Sequence, residues 1–330
     1  MIEVRKGSDS RIMSVGAYQP SRVVPNSEIV ERIDSTDEWI RQRTGIESRR
    51  IAAADESVID MAEIACNQAL QRANLSMEDI DTIILATISY PFQAPSAATA
   101  LTARLGNPKA AAFDINAACA GFCYGLGMAS DFIRAGSSKH VLVVGVEKLS
   151  DFTDPTDRAT AFIFADGAGA VVVGPSDHPA IGPTVWGSDA DSRDAILANP
   201  SWLDYRSVPD APWPVISQQG QAVFRWAVFS VSKVGIRALE AAGVTPDQLD
   251  AFIPHQANVR IIESMAKEIG IPAKVAVAED IRTSGNTSAA SVPIAMAALL
   301  KDRPDLSGGL ALLIGYGAGL VYAGQVVELP

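Results

Sequence analysis

A cysteine at the junction of a predicted strand and a predicted helix is the first candidate for chemistry in this sequence. Cys119 follows the apolar segment 110–115, which is typical of a buried strand, and precedes segment 122–133, which has a helical pattern. Unpaired N–H groups and the dipole at a helix N-terminus favour the thiolate, the nucleophilic form of cysteine. The same N–H groups can bind a developing oxyanion. The alternative is a buried, unreactive cysteine, the role that we expect for Cys123.

A histidine and an asparagine stand at similar junctions. His255 directly follows a strand predicted over 251–254, and open α/β sheets place their sites at such strand ends. Its alternative role is that of a hydrogen-bonded polar residue without catalytic function. Asn286 precedes a helix predicted over 289–300, where a helix N-cap is the alternative. The glycine-rich segment 315–319 predicts a turn, either a simple one or one whose backbone N–H groups bind an anion. Spacing alone does not bring these residues together.

Charge and cysteine content argue against several classes of function. The net charge of −11 disfavours nucleic acid and anionic membranes as partners, because both require a basic face. An odd cysteine count and no signal peptide in residues 1–11 indicate a cytoplasmic protein without disulfides. One Cys-x3-Cys pair with three histidines in the whole chain gives no metal site. The uncharged segment 306–327 contains six glycines, so it predicts two buried strands around a turn rather than a membrane span.

Two internal repeats indicate a duplicated architecture. Residues 69–84 read as a helix end, a loop and a buried strand, and the same order recurs 169 residues later, at 238–253. A second similarity relates 167–174 to 317–324, with an offset of 150 residues. The matches occur in the same order along the chain, which predicts two similar halves.

The repeats suggest boundaries for these halves. We assign 1–175 to an N-terminal half with Cys119 and 217–330 to a C-terminal half with the histidine and the asparagine, joined by 176–216. Strands and helices alternate within each half, which predicts an α/β fold with helices on the faces of its sheets. The polar, proline-bearing segment 188–214 predicts a long loop that acts as a lid or a pocket wall.

Short motifs give the chain a resemblance to a known family. They are Asp-Glu-Trp-Ile at 37–40 with Arg-Thr-Gly-Ile at 43–46, Ala-Cys-Ala-Gly-Phe at 118–122, Asp-Pro-Thr-Asp-Arg at 154–158, Pro-His-Gln-Ala-Asn at 254–258 and Gly-Asn-Thr-Ser-Ala-Ala-Ser at 285–291. In these motifs the sequence resembles β-ketoacyl-acyl-carrier-protein synthase III over nearly its whole length. The resemblance implies a thiolase-like fold, two similar βαβαβαββ halves in five layers, and a homodimer.

The resemblance also implies a reaction. Cys119, His255 and Asn286 would form a catalytic triad that condenses an acyl-CoA with malonyl-acyl-carrier protein and so initiates fatty-acid synthesis. The backbone N–H groups of Cys119 and Ala318 would form the oxyanion hole. His255 and Asn286 would stabilise the enolate that malonyl decarboxylation produces. Coenzyme A thioesters would be substrates, and no metal or redox cofactor is implied.

The binding residues follow from the same resemblance. Trp39, Arg43 and Arg158 would hold the nucleotide end of coenzyme A, a role that suits an aromatic plane and guanidinium groups. Ala94 stands where some members have a phenylalanine at the wall of the acyl pocket, so longer or branched starters are expected.

Basic residues on two predicted helices suggest where the acidic carrier protein docks. Arg225 lies on one helix, while Arg260 and Lys267 are seven residues apart on another. Seven residues make two helical turns, so both side chains can project from one face. A solvated helix face without a partner is the alternative.

Three other functions are alternatives to this reaction. A thiolase-fold relative that makes a polyketide would use the same triad. An inactive acyl-binding or acyl-transfer protein would have lost one of its members, and all three are present. A hydroxymethylglutaryl-CoA synthase would require a glutamate motif that the sequence does not match.

Overall fold

The computed structural model describes residues 7–330. Residues 1–6, which belong to the predicted N-terminal half and to the segment searched for a signal peptide, lie outside the described residues. The strands of the described part are β1 (Asp9–Tyr18), β2 (Arg22–Pro25), β3 (Ser48–Ile51), β4 (Thr82–Ala86), β5 (Ala111–Ile115), β6 (Val141–Lys148), β7 (Asp166–Ser176), β8 (Val185–Ser188), β9 (Ile196–Asn199), β10 (Val215–Gln218), β11 (Ala251–Pro254), β12 (Ala276–Val277), β13 (Leu310–Gly317) and β14 (Val321–Glu328).

The helices alternate with these strands. They are α1 (Asn26–Val30), α2 (Asp37–Thr44), α3 (Val58–Ala73), α4 (Ala97–Leu105), α5 (Gly121–Arg134), α6 (Trp202–Ser207), α7 (Gly220–Trp226), α8 (Ser232–Ala242), α9 (Val259–Ile269), α10 (Ile281–Ser284) and α11 (Ser291–Asp302). A π-helical turn at Ala227–Val231 joins α7 to α8. No helix between residues 7 and 330 is long and apolar enough to cross a membrane.

Two five-stranded sheets share one pairing pattern, which confirms the duplication. Their orders are β5-β4-β6-β7-β1 and β12-β11-β13-β14-β8. In each sheet the first three strands pair in parallel, and each of the last two strands pairs antiparallel with the strand before it. The first repeat has the predicted register, because Thr82 and Ala251 occupy equivalent places 169 residues apart. The second repeat was misaligned. When the strand pairing is followed from Thr82 and Ala251 across the neighbouring strands β6 and β13, Val173 of β7 corresponds to Val327 of β14. This is an offset of 154 rather than 150 residues.

The elements stack in five layers, as the family resemblance predicted. Helices α3 and α4 cover the outer face of the first sheet, and α8 and α9 cover the second. Helices α5 and α11 lie between the sheets and contact both. Their buried side chains, such as Leu126 and Met296, pack with Val143 of one sheet and Leu313 of the other. The site residues therefore lie on rigid elements around this central layer.

The prediction of a long loop over 188–214 is wrong. This segment contains a 3-10 turn at Ala190–Ala195, strand β9 and helix α6, and β9 pairs with β10. Local strand pairing thus provides backbone hydrogen bonds within this segment. Its aromatic side chains pack together, and the ring centres of Trp202 and Trp213 are 5.4 Å apart. Strand β8, in the segment assigned to the connection, forms the edge of the second sheet.

Candidate active site

Cys119 lies in a tight turn that leads into a central helix. The 3-10 turn Ala118–Ala120 connects β5 with the first residue of α5, so the strand-to-helix junction is where the sequence placed it. The end of β13 packs directly against this turn. A Cβ atom on Gly317 would lie 2.8 Å from the backbone nitrogen of Cys119 and 3.0 Å from Sγ, so only glycine permits this approach. That close packing brings the segment 315–319 to the cysteine.

The electrostatic surroundings of the Cys119 thiol are mixed. Burial raises the pKa of Cys119 to about 12. Hydrogen bonds from the Ser288 hydroxyl and from the backbone N–H groups of Cys119 and Ala318 oppose that rise, while the Glu147 carboxyl adds to it. The raised pKa runs against our expectation that the helix terminus favours a thiolate, although the residue as a whole is only partly buried. The N–H groups of Cys119 and Ala318 both lie beside the sulfur, next to the position where the oxyanion of a tetrahedral intermediate on Cys119 would form, and their role as an oxyanion hole stays a prediction.

His255 sits at the end of β11 with its side chain buried. Its exposed fraction is 2%, and burial lowers its pKa to about 3, so the imidazole is neutral at physiological pH. Nδ1 lies 2.7 Å from the hydroxyl oxygen of Ser291, which also accepts a hydrogen bond from the Gln256 N–H. The ring of Tyr316 stands edge-on to the imidazole at 5.1 Å. These contacts fix the orientation of the imidazole ring.

Asn286 is held by backbone groups on both sides. Its N–H donates to the Ile163 carbonyl at 2.9 Å, and its Oδ1 accepts from the Ser288 N–H at 2.8 Å. Because Oδ1 is engaged, the side-chain N–H groups are left for the cavity that Asn286 lines. The alternative role as N-cap of the following helix is wrong, since α11 begins at Ser291 and its N-cap is Ala290.

The three residues meet around one small cavity. This central cavity, about 80 Å³, is lined by Cys119, His255, Asn286, Tyr316 and Ala318 among others. Residues that are 136 and 167 positions from Cys119 in the chain thus share one enclosed space with it. A nucleophile, a neutral imidazole, an amide and two backbone donors suffice for acyl transfer through a covalent thioester.

A larger cavity opens beside the central one. This polar cavity, about 560 Å³, shares Asn286 with the central cavity and is lined by Trp39, Arg43 and Arg158. The guanidinium carbons of Arg43 and Arg158 lie 5.7 Å and 5.6 Å from the centre of the Trp39 ring. The structure therefore brings the three residues predicted to hold a nucleotide to one wall.

The basic residues predicted to dock a carrier are exposed on α7 and α9. Arg225 and Arg260 line the polar cavity, and the Arg260 guanidinium stacks on Phe224 at 5.6 Å. Lys267 lies two turns further along α9 and outside the lining of that cavity. Two of the three residues therefore stand at the mouth of the site.

A third cavity adjoins the central one, and part of its lining comes from segment 188–214, which the sequence predicted to be a lid or a pocket wall. This aromatic cavity, about 620 Å³, shares Ala118 and Ala318 with the central cavity and is lined by Phe152, Trp202 and Ile216. Trp202 lies in that segment, within helix α6. Ala94 is exposed and lines none of the three cavities. Its assignment to the acyl-pocket wall stays a prediction.

Sequence reasoning also missed polar residues behind the triad. Ser288 and Ser291 lie in the motif that carries Asn286, so their neighbourhood was visible, but their contacts were not. Glu147 gave no signal, because it follows an apolar strand at a position typical of an exposed residue. No cluster of His, Cys, Asp or Glu side chains suited to a metal ion is found between residues 7 and 330.

Known proteins resemble this chain closely. The models for 3-oxoacyl-[acyl-carrier-protein] synthase III and its C-terminal domain match residues 113–190 and 239–329. The β-ketoacyl-[acyl-carrier-protein] synthase III 1 of Streptomyces coelicolor is 55% identical, over 100% of this chain and 99% of its own. The mycobacterial β-ketoacyl-[acyl-carrier-protein] synthase III of Mycobacterium tuberculosis is 52% identical, over 100% and 99%.

Solved structures of similar proteins have the same fold as this chain. A priming β-ketosynthase from a polyketide biosynthetic pathway superposes with a TM-score of 0.98 at 44% identity, over 100% of this chain and 98% of the other. The 3-oxoacyl-[acyl-carrier-protein] synthase III of Aquifex aeolicus gives 0.89 at 40% identity, over 97% and 99%. The two-sheet fold, the matched segments and the identity along the full chain lead to one assignment: the chain belongs to the 3-oxoacyl-[acyl-carrier-protein] synthase III family of condensing acyltransferases.

Proposed function

We propose that this protein condenses an acyl-CoA starter with malonyl-acyl-carrier protein to give a β-ketoacyl-carrier protein, coenzyme A and CO₂, and thereby initiates fatty-acid synthesis. The observation that carries this proposal is the central cavity, which unites Cys119, His255 and Asn286 and shares Asn286 with the polar cavity. The names of the relatives from Streptomyces and Mycobacterium support the same reaction.

Acylation of Cys119 is the first half of the reaction. The nucleotide end of coenzyme A stacks on Trp39, and Arg43 and Arg158 pair with its phosphates. The thioester carbonyl then reaches Cys119, whose sulfur attacks it. The backbone N–H groups of Cys119 and Ala318 stabilise the tetrahedral oxyanion. Coenzyme A leaves, and the acyl group stays on Sγ.

Decarboxylation and condensation form the second half. With the Ser291 hydroxyl as the donor to Nδ1 of His255, Nε2 carries the imidazole proton and donates a hydrogen bond to the malonyl thioester oxygen. Asn286 donates its amide N–H to the same oxygen, because its own Oδ1 is engaged by Ser288. Both donors stabilise the enolate that forms when CO₂ leaves. The enolate carbon attacks the acyl-Cys119 carbonyl, and the thiol is released. The reaction uses coenzyme A thioesters as substrates and needs no further cofactor.

The acyl chain of the starter occupies the aromatic cavity. This space shares Ala118 and Ala318 with the central cavity, and Phe152, Trp202 and Ile216 give it an apolar lining. Its volume favours starters longer or more branched than acetyl, and the resemblance predicts the same preference from the small Ala94. Measurement of kcat/KM for acetyl-, isobutyryl-, isovaleryl- and longer acyl-CoAs tests this preference. A strict acetyl preference that Ala94→Phe leaves unchanged would refute it.

The second substrate docks at the mouth of the polar cavity. Arg225, Arg260 and Lys267 give a locally basic surface on a chain whose net charge is −11, so an acidic carrier protein is attracted there rather than elsewhere. The pantetheine arm enters by the route that coenzyme A uses.

The protein works in the cytoplasm as a homodimer. Strand β5 is the edge of the first sheet and pairs only with β4, and its apolar Phe113 and Ile115 are half-exposed. An unpaired apolar edge is a template for strand addition, so two copies pair along β5. Light scattering should give twice the chain mass, and Phe113→Asp should shift the protein towards the monomer.

Priming of a polyketide pathway is the second candidate function. The superposition with a priming β-ketosynthase at a TM-score of 0.98 favours it. The chemistry at Cys119 is the same, and the difference lies in the carrier. Kinetics with malonyl groups on fatty-acid and polyketide carrier proteins separate the two functions.

One experiment tests the central proposal. The pure protein is incubated with a panel of acyl-CoAs, and its intact mass and peptide map are recorded before and after malonyl-carrier protein is added. We expect an acyl adduct on Cys119 that disappears as CO₂ is released. An adduct at another residue, or none with any acyl-CoA, would contradict the proposal.

A further inference from the structure

A buried carboxyl group lies behind the nucleophile and has no part in the reaction described above. Glu147 is near the end of β6 and is fully buried. Its oxygens accept hydrogen bonds from the hydroxyls of Ser89 at 2.6 Å and Thr87 at 3.2 Å and from the Ile88 N–H at 3.1 Å. The Ser288 hydroxyl donates to its other oxygen at 3.1 Å. Uncharged donors thus hold this carboxyl, and burial raises its pKa to about 7.

Ser288 connects this carboxyl with the nucleophile. Its hydroxyl donates to Glu147 at 3.1 Å and lies with the Cys119 thiol in the lining of the central cavity, where it opposes the rise in the pKa of that thiol. Its position is fixed, since its backbone N–H donates to Asn286 Oδ1 and its φ of +48° holds the turn in the left-handed region. The hydroxyl is buried, so bulk water does not compete for it.

The single proton of this hydroxyl couples the two groups. When Cys119 is a thiol, Ser288 accepts from S–H and donates to the Glu147 carboxylate. When Cys119 is a thiolate, Ser288 donates to sulfur, and Glu147 must be protonated to donate to Ser288 in turn. Moving one proton along each hydrogen bond converts the first arrangement into the second without moving a heavy atom.

We propose that Glu147 accepts the proton of Cys119 through the Ser288 hydroxyl when the enzyme is acylated. The S–H bond of Cys119 breaks as its proton passes to Oγ of Ser288, and the former Ser288 proton passes to Glu147. The thiolate attacks the acyl carbonyl carbon, and the bond from that carbon to the coenzyme A sulfur breaks. The departing sulfur, which leaves from the same carbon, regains a proton from Glu147 by the reverse path. The acyl group has thus moved from the coenzyme A sulfur to the Cys119 sulfur, the thiol proton has moved in the opposite direction, and no net proton is consumed.

His255 is poorly placed for this task. Its Nδ1 is engaged by Ser291, and desolvation lowers the pKa of its imidazole to about 3, which makes it a weak base. The imidazole is then free to act as a donor to the malonyl oxygen. Glu147 acts through Ser288 and touches neither substrate, so its contribution is confined to the step in which the thiol loses its proton.

Two variants test the relay by its effect on one half-reaction. Glu147→Gln keeps the size of the side chain but cannot take a proton, and Ser288→Gly removes the hydroxyl while permitting the positive φ. Single-turnover acylation of Cys119 should fall by about 100-fold near neutral pH, within the range of general-base catalysis. The loss should shrink as pH rises, because hydroxide then forms the thiolate directly. The double variant should be no slower than the slower single one, because both substitutions break one path.

Further measurements separate a relay from a structural effect. Malonyl decarboxylation, measured separately, should be unchanged in Glu147→Gln. Asp166→Asn is the matched control, since Asp166 is another fully buried carboxyl that contacts Ser150 and Ala52 instead of the central cavity; its acylation rate should match wild type. The pH dependence of Cys119 alkylation by iodoacetamide should shift in Glu147→Gln but not in Asp166→Asn. If Glu147→Gln does not fold, Ser288→Gly and its alkylation profile give the same test.

Three results would overturn the proposal: unchanged acylation and alkylation profiles in both variants, an equal fall of acylation and decarboxylation in Glu147→Gln, or additive losses in the double variant. The inference rests on the proposed role of Cys119 as the nucleophile. An acyl adduct that persists in Cys119→Ala would contradict that role directly, so the two failures are distinguishable.

Discussion

Ala118 and Ser288 occupy equivalent positions in the two halves of the protein, with φ angles of +44° and +48°. Each is the first residue of a 3-10 turn that leads into a central helix, α5 in one half and α11 in the other. One turn carries Cys119, and the other orients Asn286 and contributes the hydroxyl that hydrogen bonds with the cysteine. L-residues pay about 1–2 kcal/mol for this backbone conformation, and such strain clusters at functional sites.

The backbone conformation at Ala118 predicts a steep dependence on side-chain shape. Ala118→Val should lower the free energy of unfolding by at least 1–2 kcal/mol and slow acylation, because a β-branched residue tolerates positive φ poorly. Ala118→Gly is the matched control and should be as stable as wild type or slightly more so. Urea unfolding and single-turnover acylation measure both effects. Wild-type behaviour of the valine variant would show that the turn is not strained.

The nucleophile is tested by comparing the two neighbouring cysteines. Cys119→Ala should abolish the acyl adduct while leaving the fold intact, because no other group in the central cavity can carry the thioester. Cys123 is fully buried in the core, so Cys123→Ala should retain most activity. Intact-protein mass spectrometry decides between them. An adduct that maps to Cys123 would reverse the assignment.

Alanine at His255 or Asn286 should separate the two half-reactions. Each side chain is proposed to donate to the enolate oxygen, so each loss should slow malonyl decarboxylation by roughly 10²–10³, as removal of an oxyanion donor does. Acylation should suffer less, because its oxyanion is proposed to be held by the backbone N–H groups of Cys119 and Ala318. Stopped-flow acylation and CO₂ release can be followed independently. An equal collapse of both steps in Asn286→Ala would count against this division of roles.

The buried imidazole predicts a loss of stability in acid. The pKa of His255 is lowered from 6.5 to about 3, so between these values the unfolded chain binds a proton that the folded protein does not. Its contribution to stability is therefore complete above pH 6.5 and falls by about 1.4 kcal/mol per pH unit below it. Between pH 7.5 and 5, wild type should lose about 2 kcal/mol more than His255→Gln. Urea unfolding at both values measures the difference.

An exposed histidine provides the control for this pH effect. Hydrogen bonds with Glu328 and Asp177 raise the pKa of His178, so its contribution has the opposite sign and grows as pH falls through that pKa. His178→Gln should therefore leave the acid destabilisation at least as large as in wild type. Identical pH profiles of wild type and His255→Gln would show that folding does not lower the pKa of His255.

Charge reversal at Lys267 is the sharpest test of carrier docking. Arg260 lines the polar cavity, so its reversal would also disturb coenzyme A, whereas Lys267 lies outside it on the same helix. Lys267→Glu should raise KM for malonyl-carrier protein several-fold and weaken its salt dependence, because steering by a local charge is screened by salt. Acyl-CoA loading of Cys119 should not change.

The control for docking lies at the far end of a central helix. Lys139 is exposed beyond the C-terminus of α5, whereas Cys119 precedes its N-terminus, and this helix of 14 residues separates them by roughly 20 Å. Lys139→Glu makes the same charge change and should leave carrier kinetics at the wild-type value. Equal effects of the two charge reversals would show that the carrier protein docks elsewhere or that its binding depends only on the overall charge.

The sequence by itself determined the alternation of strands and helices, the duplication and the candidate residues. These features are local. A strand such as Ala251–Pro254 is apolar because both of its faces are buried, and His255 is recognisable because it follows that strand. The 169-residue repeat is likewise a property of the chain and needs no knowledge of packing.

Only the tertiary structure decided which of these residues meet and what their chemistry is. The helix terminus predicted a thiolate at Cys119, but the pKa of the thiol is raised because desolvation by the whole surrounding core outweighs two N–H groups. Glu147 looks like an ordinary polar residue in the sequence, and its contact with Ser288, 141 positions away, arises from the stacking of the layers. Burial and long-range contact are sums over neighbours distant in the chain, so spacing along the sequence does not encode them.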